Sequence, residues 1–310
     1  MRLEKIQGMK IALLVIYNHR YDKNIPRIEK LYQGRFSNIF HLVPFYDGDL
    51  SNVIPVYESS YYFQSYIAQA YRHIKGLGFT HYFCVPDDMI INPAINENNL
   101  FDLTGIPETH CYIHNFIMLH GGKKPWTYKY NAYRYNPNPK GLEISNVLPP
   151  YETAMGVLTK KGYCPNSLSF AEVLHDAFWA LTHKRLGLLY QIVRTFFTSK
   201  KLRYPLVGGW SDILLLTDNI MPVFCQYCGA FAASNLFVEI ALPSALLLCA
   251  ENITTSESII LKNNIPLITL LPKDQQVAFY RTYDYKLDKL MEEYPSDRFF
   301  VHPIKLSQWK

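Results

Sequence analysis

Two adjacent carboxylates, Asp87 and Asp88, are the residues of this chain best placed to do chemistry. They follow an apolar run at 82–85, and a second apolar pair at 90–91 comes after them. Neighbouring carboxylates repel each other, and a bound cation or a proton relieves that repulsion. Hard divalent ions such as Mg2+ and Mn2+ favour oxygen ligands and bridge them to substrate phosphates. The pair therefore indicates a metal-assisted site, and the alternative is a polar turn between two strands.

The elements around this pair must present it at the edge of a sheet. The run at 82–85 is typical of a buried strand, and Asn92 and Pro93 close the segment with a turn signal. The segment 10–19 is another continuous apolar strand, of the kind that is buried on both faces in a parallel sheet. Open α/β sheets bind ligands beyond the carboxyl ends of their strands. We therefore expect the residues that follow these two strands to lie close together.

The first hundred residues alternate between strand and helix patterns. A helix is predicted over 25–34, a strand over 39–45 and a second helix over 59–75, before the strand that carries the acidic pair. Asp47-Gly48-Asp49 follows the middle strand and is typical of a turn. This alternation predicts a nucleotide-binding α/β sheet.

The order and position of these features resemble the nucleotide-binding half of GT-A-type glycosyltransferases. In that family a strand ends in an Asp-x-Asp or Asp-Asp element that holds a metal and a nucleoside diphosphate. Pro86 occupies the first motif position here, so the match is degenerate. The resemblance implies that Asp88 binds Mn2+ or Mg2+, that Tyr17 stacks on the base and that Asn18 bonds its edge. The implied nucleotide-binding residues are Tyr17, Asn18, His19, Asp47, Asp87 and Lys305. The residues after the first strand could equally form an ordinary loop, and Asp47 could belong to a plain turn.

A late histidine, His302, follows a short apolar strand near the end of the chain. The same resemblance implies that His302 completes the metal site and that Lys305 meets the diphosphate. A His-Pro turn is the ordinary alternative.

A lone charge, Glu239, lies in the apolar region 224–251, which predicts one or two helices. Burial raises the pKa of a carboxyl group and suits it to proton transfer. In inverting GT-A enzymes a carboxylate of the second half deprotonates the acceptor hydroxyl. The resemblance makes Glu239 the first candidate for that base and Asp212, which follows Gly208 and Gly209, the second. Glu239 could instead be a buried structural carboxylate.

The segment 121–139 has no periodicity and predicts a long loop. Its aromatic residues Trp126 and Tyr128, interleaved with lysines, suit an acceptor sugar or simply a packed surface loop. The segment 170–198 predicts a helix with a basic, aromatic second half, which could lie on an anionic membrane or be solvated. The net charge of +5 fits an anionic ligand and does not require nucleic acid.

The fold class predicted is α/β, GT-A-like (Rossmann-like), with a mainly parallel central sheet and a more helical C-terminal half. Residues 1–108 would form the nucleotide-binding half and 109–310 the acceptor-binding half, with a helical insertion around 168–204. The expected function is transfer of a sugar from a nucleotide-sugar, most readily a UDP-sugar, to a saccharide or lipid-linked saccharide. A non-catalytic binding protein and a sugar nucleotidyltransferase are the alternatives. No secretory signal is recognised in 1–16, so a cytoplasmic location is expected, with peripheral membrane contact.

Overall fold

The computed structural model describes residues 9–122, 125–144, 146–261, 265–266 and 275–310. The strands are β1 Ile11–Ile16, β2 Ile39–Pro44, β3 Val53–Val56, β4 His81–Pro86, β5 Ile90–Ile91, β6 Cys111–Ile113, β7 Leu214–Thr217, β8 Ile253–Thr255, β9 Ile260–Leu261, β10 Ile265–Pro266 and β11 Phe300–Val301. The helices are α1 Ile25–Tyr32, α2 Gln64–Ile74, α3 Leu100–Thr104, α4 Thr127–Tyr133, α5 Tyr151–Lys160, α6 Phe170–Thr182, α7 Leu186–Thr198, α8 Met221–Ala233, α9 Val238–Cys249, α10 Gln276–Thr282 and α11 Leu287–Glu292. The residues 1–8, on which the expected lack of a signal partly rests, lie outside this description.

Seven strands form the central sheet, in the order β3-β2-β1-β4-β7-β6-β8. Strand β1 pairs parallel with β2 and β4, β2 pairs parallel with β3, and β6 pairs parallel with β8. Only β7 is reversed among these strands, and it runs antiparallel to β4 and β6. The predicted α/β class with a mainly parallel, Rossmann-like sheet is confirmed. Strands from 1–108 and from 109–310 share this one sheet, and the domain boundary stays a prediction.

Strand β1 shows why this sheet has helices on both faces. Its residues alternate between two separate cores: Ile11, Leu13 and Val15 face one, and Ala12 and Leu14 face the other. All five side chains are fully buried. A strand that is apolar at every position needs a covered surface on each side, and the continuous run in the sequence predicts this correctly. Helices α2, α8 and α9 pack together against the second core.

Two features of the first 140 residues differ from the sequence prediction. Strand β3 is missed, because it is short and contains Pro55 at the edge of the sheet. The segment 121–139, expected to be a loop, contains α4. Strand β6 ends at Ile113, and Ile117 beyond it makes only an isolated bridge to Gly208.

The helix expected over 170–198 is two helices, α6 and α7. Arg185 N donates to Ala180 O at the turn between them, and Lys184 has a left-handed backbone with φ of 54°. A non-glycine residue in that conformation cannot continue an α-helix, so the chain reverses there. The first residue of α6, Phe170, then contacts Phe196 in the last turn of α7.

Among the described residues, no helix combines the length and the apolar character needed to cross a bilayer.

Candidate functional site

The carboxyl ends of β1 and β4 form the crevice around which the candidate site is built. The chain leaves β1 toward β2 on one side, and β4 later adds on the other side, so the strand order reverses at this point. Such a switch point leaves a crevice where ligands of open α/β sheets bind. Asn18 and His19 follow β1 and are exposed, and Asp87 and Asp88 follow β4. Asp87 N donates to Ile16 O at 2.9 Å, which fixes the acidic pair beside the end of β1.

The reversed strand β7 brings a third carboxylate to the same edge. Leu214 at its start is paired with Cys84 in β4. Because the strands are antiparallel, residues that precede Leu214 lie level with residues that follow Cys84. Asp212, two residues before Leu214, is therefore level with the end of β4.

A small second sheet brings the late histidine to the acidic pair. Strands β5 and β11 pair antiparallel, with Val301 opposite Ile90. Beyond this pairing, Ile304 N donates to Asp88 O at 2.6 Å. The tail that follows is held by Arg27, whose guanidinium donates to Leu306 O at 2.5 Å. His302 is thus held next to Asp88 by backbone pairing that links residues more than two hundred positions apart.

The side chains of Asp88, Asp212 and His302 meet here, and Glu239 is close enough to interact electrostatically with Asp212. We call these four residues the open cluster. His302 Nδ1 lies 3.2 Å from Asp88 Oδ1, and His302 Nε2 lies 3.6 Å from Asp212 Oδ2. The 3.2 Å contact lacks hydrogen-bond geometry, and Asp88 Oδ1 and His302 Nδ1 are both buried without a hydrogen-bond partner in the described structure. Burial opposes the charged form of His302, but the carboxylates of Asp88 and Asp212 outweigh it and raise its pKa. Burial also raises the pKa of Asp212, although 26% of its side chain stays exposed.

Glu239 lies in the first turn of α9, next to the loop that carries Asp212. Gly209 N donates to Glu239 O at 2.9 Å, and Ser244 on the same helix bonds Val207 N and O. Burial, with a smaller contribution from the negative charge of Asp212, raises the pKa of Glu239 to about 7. A carboxyl group with this pKa can exchange a proton near neutral pH.

The two glycines before Asp212 allow this close approach. A Cβ atom at Gly208 would come within 2.7 Å of the Trp126 ring, and one at Gly209 would come within 2.5 Å of Asn115 O. Both distances are too short for any side chain, so only glycine lets the loop pack here. Trp126 therefore packs directly against the segment that leads to Asp212.

Tyr17 corrects an expectation. Its ring is fully buried and its hydroxyl lies 2.9 Å from His41 Nδ1, so no exposed face is left for a base. The pKa of Tyr17 is raised by burial and by the nearby charge of Asp87. Asp87 is itself 5% exposed, accepts a hydrogen bond from Asn24 at 3.0 Å, and has a pKa raised to about 6 by burial. Tyr17 therefore belongs to the core near Asp87 and does not face the crevice.

The other expected nucleotide-binding residues are more accessible. Asp47 is exposed and forms an ion pair with Arg20, whose Nε also lies 3.2 Å from Asp22, so the loops after β1 and β2 are tied together. The Arg20 guanidinium lowers the pKa of Asp47. Lys305 is exposed three residues after His302.

An aromatic group lies next to Glu239. Tyr128 stacks on Phe237 with 3.5 Å between ring centroids, and Trp126 and Tyr61 contact Tyr128 edge-on. Burial, followed by the neighbouring Tyr61 and Glu239, raises the pKa of Tyr128 to about 12. The structure therefore brings both expected acceptor residues next to the expected base. Lys123 and Lys124, two of the interleaved lysines, lie outside the described residues, and Lys129 is buried in an ion pair with Asp176.

A cavity of about 630 Å³ opens beside this aromatic group. Tyr61, Tyr128 and Phe237 line it together with Arg134 and Arg194. Burial, followed by the charge of Arg194, lowers the pKa of Arg134. Arg134 Nη1 is buried without a hydrogen-bond partner, and in the described part of the chain neither arginine forms an ion pair. The cavity therefore suits a ligand that carries negative charge.

A larger cavity, of about 770 Å³, lies elsewhere, between α2 and α8. Ser65, Tyr71 and Cys225 line it, and none of the four open-cluster residues does. No open-cluster residue lines the cavity of about 630 Å³ either, but that cavity shares Tyr128 and Phe237 with the aromatic group next to Glu239, and the larger cavity shares none of those residues.

Two side chains of the open cluster, Asp88 and His302, are candidate ligands for a divalent metal ion. Asp88 Oδ1 and His302 Nδ1 lie 3.2 Å apart, and both are buried without a hydrogen-bond partner in the described structure, so both atoms have a lone pair that could bind a cation. Carboxylate oxygens suit Mg2+ and Mn2+, whereas imidazole is more typical of zinc, copper, iron and nickel sites. Within the described residues, no group of three or more His, Cys, Asp and Glu side chains is arranged to hold a metal. Magnesium-type sites often use one or two protein ligands and complete the shell with substrate phosphates and water, so the pair fits such an ion.

Several residues around the candidate site are not identified as site residues from the sequence. They are Asn24, Tyr61, Asn115, Arg134, Arg194 and Phe237. Only Asn24 could have been found from the sequence, because it lies in the polar loop that follows β1. The others come from elements far apart in the chain. No protein-family model matches the sequence, and no curated protein matches it.

Proposed function

We propose that this protein is a GT-A-like glycosyltransferase that moves a sugar from a nucleotide-sugar to a saccharide or lipid-linked saccharide. The observation that carries the proposal is the open cluster at the switch-point crevice. It combines Asp88 at the end of a strand with His302, and the facing atoms Asp88 Oδ1 and His302 Nδ1 both lack hydrogen-bond partners. It also contains Glu239, a carboxyl group with a pKa of about 7. The exposed Asn18, His19 and Lys305 lie at or next to the same crevice and suit a nucleoside diphosphate.

The proposed chemistry assigns Glu239 to proton transfer. In an inverting transfer the acceptor oxygen forms a bond to the anomeric carbon, and the bond from that carbon to the diphosphate oxygen breaks. The diphosphate leaves with the electron pair, and the acceptor proton moves to the Glu239 carboxylate. Its pKa of about 7 lets Glu239 be ionised before the step and protonated after it.

Asp88 and His302 would hold Mn2+ or Mg2+, which neutralises charge on the leaving diphosphate when bound. Asp212, 3.6 Å from His302 Nε2, is then better placed to orient the imidazole than to act as a second base. A carboxylate on the far nitrogen of a ligand histidine fixes its tautomer and ring orientation. This arrangement divides the two candidate bases: Glu239 transfers the proton and Asp212 positions His302.

The acceptor would bind in the cavity beside the aromatic group, which is lined by Phe237 and Ile240, on either side of Glu239 at the start of α9. Tyr128 lines this cavity and Trp126 packs edge-on against it, so both rings are near a bound sugar. Arg134 and Arg194 form no ion pair within the described residues, and Arg134 Nη1 has no hydrogen-bond partner, so they suit a carboxylate or phosphate on the acceptor. A charged acceptor would also relieve the repulsion between the two guanidinium groups.

Calorimetry with UDP, GDP, CDP and CMP, each with Mn2+ and with EDTA, tests the proposal. One nucleotide should bind with Mn2+ only, and Asp88→Asn and His302→Gln should abolish that binding. Asp102→Asn, which changes an exposed carboxylate of α3, is the matched control and should bind normally. Metal-independent binding would remove Asp88 and His302 as ligands. Absence of nucleotide binding would overturn the transferase and favour a binding protein on the same fold.

A further inference from the structure

The outer surface of the α6–α7 pair carries two apolar stripes. On α6 the exposed large side chains are Phe170, Leu174, Phe178 and Leu181, and on α7 they are Leu186, Tyr190, Val193 and Phe197. Each set recurs at helical spacing, so it covers a narrow strip on one face of its helix. Phe178 is 69% exposed and Phe197 is 80% exposed. Eight of the seventeen exposed large apolar side chains in the described structure lie on these two helices, which makes the surface unlike the rest of the molecule.

The opposite faces of both helices are anchored in the protein. Val173 and Ala180 of α6 and Leu188 and Ile192 of α7 are buried in the core. Thr195 on α7 donates to Tyr130 O at 3.4 Å, which ties the pair to α4. The exposed stripes are therefore presented by a rigidly packed helical hairpin, and refolding of either helix could not bury them without losing these contacts.

Positive charge surrounds the stripes. The Lys and Arg residues between 164 and 204 are all exposed, and they are Lys184, Arg185, Arg194, Lys200, Lys201 and Arg203. The acids of the same segment are Glu172 and Asp176, and both turn inward to Lys129. In the described part of the chain this hairpin thus presents cations and apolar groups with no acid paired to them. Lys200 also lies 3.9 Å from the centre of the Phe196 ring, at the border between the two kinds of surface.

We propose that the α6–α7 hairpin docks on the surface of an anionic lipid bilayer. Its apolar stripes would enter the boundary between headgroups and acyl chains, while the flanking cations pair with lipid phosphates. A second copy of this chain is a poorer occupant, because a symmetric contact would bring twelve such cations together with no acid to offset them. The exposed Arg194 of α7 also lines the cavity beside Tyr128 and Phe237, so docking would place that cavity near the membrane surface. Lipid binding does not depend on the transferase reaction, and the two can fail separately.

Co-sedimentation of the full chain with vesicles tests this proposal. Vesicles of phosphatidylcholine with phosphatidylglycerol should bind the protein, and vesicles of phosphatidylcholine alone should bind it much more weakly. Leu186→Asp/Phe197→Asp should lower the partition coefficient by about tenfold or more. The matched control Tyr57→Asp/Val277→Asp, which changes apolar residues exposed elsewhere, should bind like the wild type. Thermal unfolding of each variant checks that it is folded.

A second pair of variants avoids the helices altogether. Lys200→Glu/Lys201→Glu should weaken binding to anionic vesicles and reduce its sensitivity to salt, whereas Lys140→Glu/Lys160→Glu should do neither. Failure of the wild type to bind anionic vesicles, or equal binding by all variants, would overturn the proposal. It would also be overturned if sedimentation velocity showed self-association that Leu186→Asp/Phe197→Asp abolishes, without vesicle binding.

Discussion

Two charged groups of side chains in this protein contain buried carboxylates, but they are built in opposite ways. The first, which we call the closed network, consists of Lys129, Tyr130, Glu172, His175 and Asp176. Lys129 Nζ lies 2.6 Å from Glu172 and 2.7 Å from Asp176, and Tyr130 and His175 also donate to the fully buried Asp176. Burial opposes ionisation of Asp176, but these hydrogen bonds outweigh it and lower its pKa.

The open cluster shows the reverse. Asp88 Oδ1 and His302 Nδ1 are buried without normal hydrogen bonds, and burial raises the pKa of Asp212 and Glu239. A satisfied network stabilises one arrangement of the chain, whereas an unsatisfied one costs stability and is retained where a ligand or a proton completes it. This difference distinguishes Asp176, whose oxygens are paired with donors, from Asp88, whose Oδ1 has no hydrogen-bond partner in the described structure.

The largest effect expected from this comparison is on turnover. Glu239→Gln keeps the shape of the side chain and removes the proton acceptor, so kcat should fall by about 10²- to 10⁴-fold. The KM values should change little, because the step and not the binding is affected. Release of nucleoside diphosphate from a nucleotide-sugar donor and acceptor pair measures this. Glu251→Gln, which changes an exposed carboxylate just after the same helix, is the control. Wild-type turnover by Glu239→Gln would remove Glu239 as the base.

A substitution in the closed network should instead lower the free energy of unfolding. Lys129→Met leaves the buried Asp176 without its cationic partner, so the free energy of unfolding should fall by about 3–5 kcal/mol. Asp88→Asn, made in the open cluster, should cost far less, since Asp88 has no hydrogen bond to lose there through Oδ1. Urea denaturation compares the two variants, with Lys160→Met as an exposed control. Equal losses in Lys129→Met and Asp88→Asn would contradict the division into closed and open groups.

The pH dependence of the free energy of unfolding gives a further test of how the open cluster differs from the closed network. The pKa of Glu239 is raised from an ordinary value of 4.5 to about 7, so the folded state binds more protons than the unfolded state between these pH values. The free energy of unfolding of the wild type, relative to Glu239→Gln, should therefore fall as pH rises from 4.5 to 7 and level off above that range. The total change should be about 1–3 kcal/mol. Denaturation of both proteins across this pH range measures the difference, and a difference that rises with pH would show that Glu239 is stabilised as a carboxylate.

The sequence predicts the edge of the sheet at which the open cluster lies. It predicts less well which side chains contact one another at that edge. The apolar runs that become β1 and β4 are continuous, and the ends of parallel strands meet at one edge, so Asn18 and Asp88 can be brought together from the pattern alone. The meeting of Asp88 with His302 is expected only through the GT-A resemblance. The pairing of β5 with β11 that produces it involves two residues on each strand, too few to leave a periodic signal.

The rest depends on tertiary packing that no local pattern records. The closed network joins α4, which falls in a stretch without periodicity, to α6. Arg134 and Arg194 reach one cavity from separate helices or their ends. Tyr17 stands at a strand end like Asn18, yet the alternation of β1 turns it into the core while Asn18 stays exposed. Which of two neighbouring residues faces the crevice is decided by one step of the strand period.

Tyr17 therefore supplies the smallest and most selective test of the comparison. Like the residues of the closed network, Tyr17 has a buried polar atom that is hydrogen-bonded: its hydroxyl bonds His41, and His41 Nε2 lies 2.8 Å from Glu29. Tyr17→Phe removes one buried hydrogen bond and should lower the free energy of unfolding by about 1 kcal/mol. Metal-dependent nucleotide affinity should stay within about twofold of the wild type, because the ring does not reach the crevice. Calorimetry and urea denaturation on one preparation measure both quantities. A large loss of affinity with unchanged stability would mean that Tyr17 contacts the nucleotide after all, and that burial alone does not separate the two kinds of group.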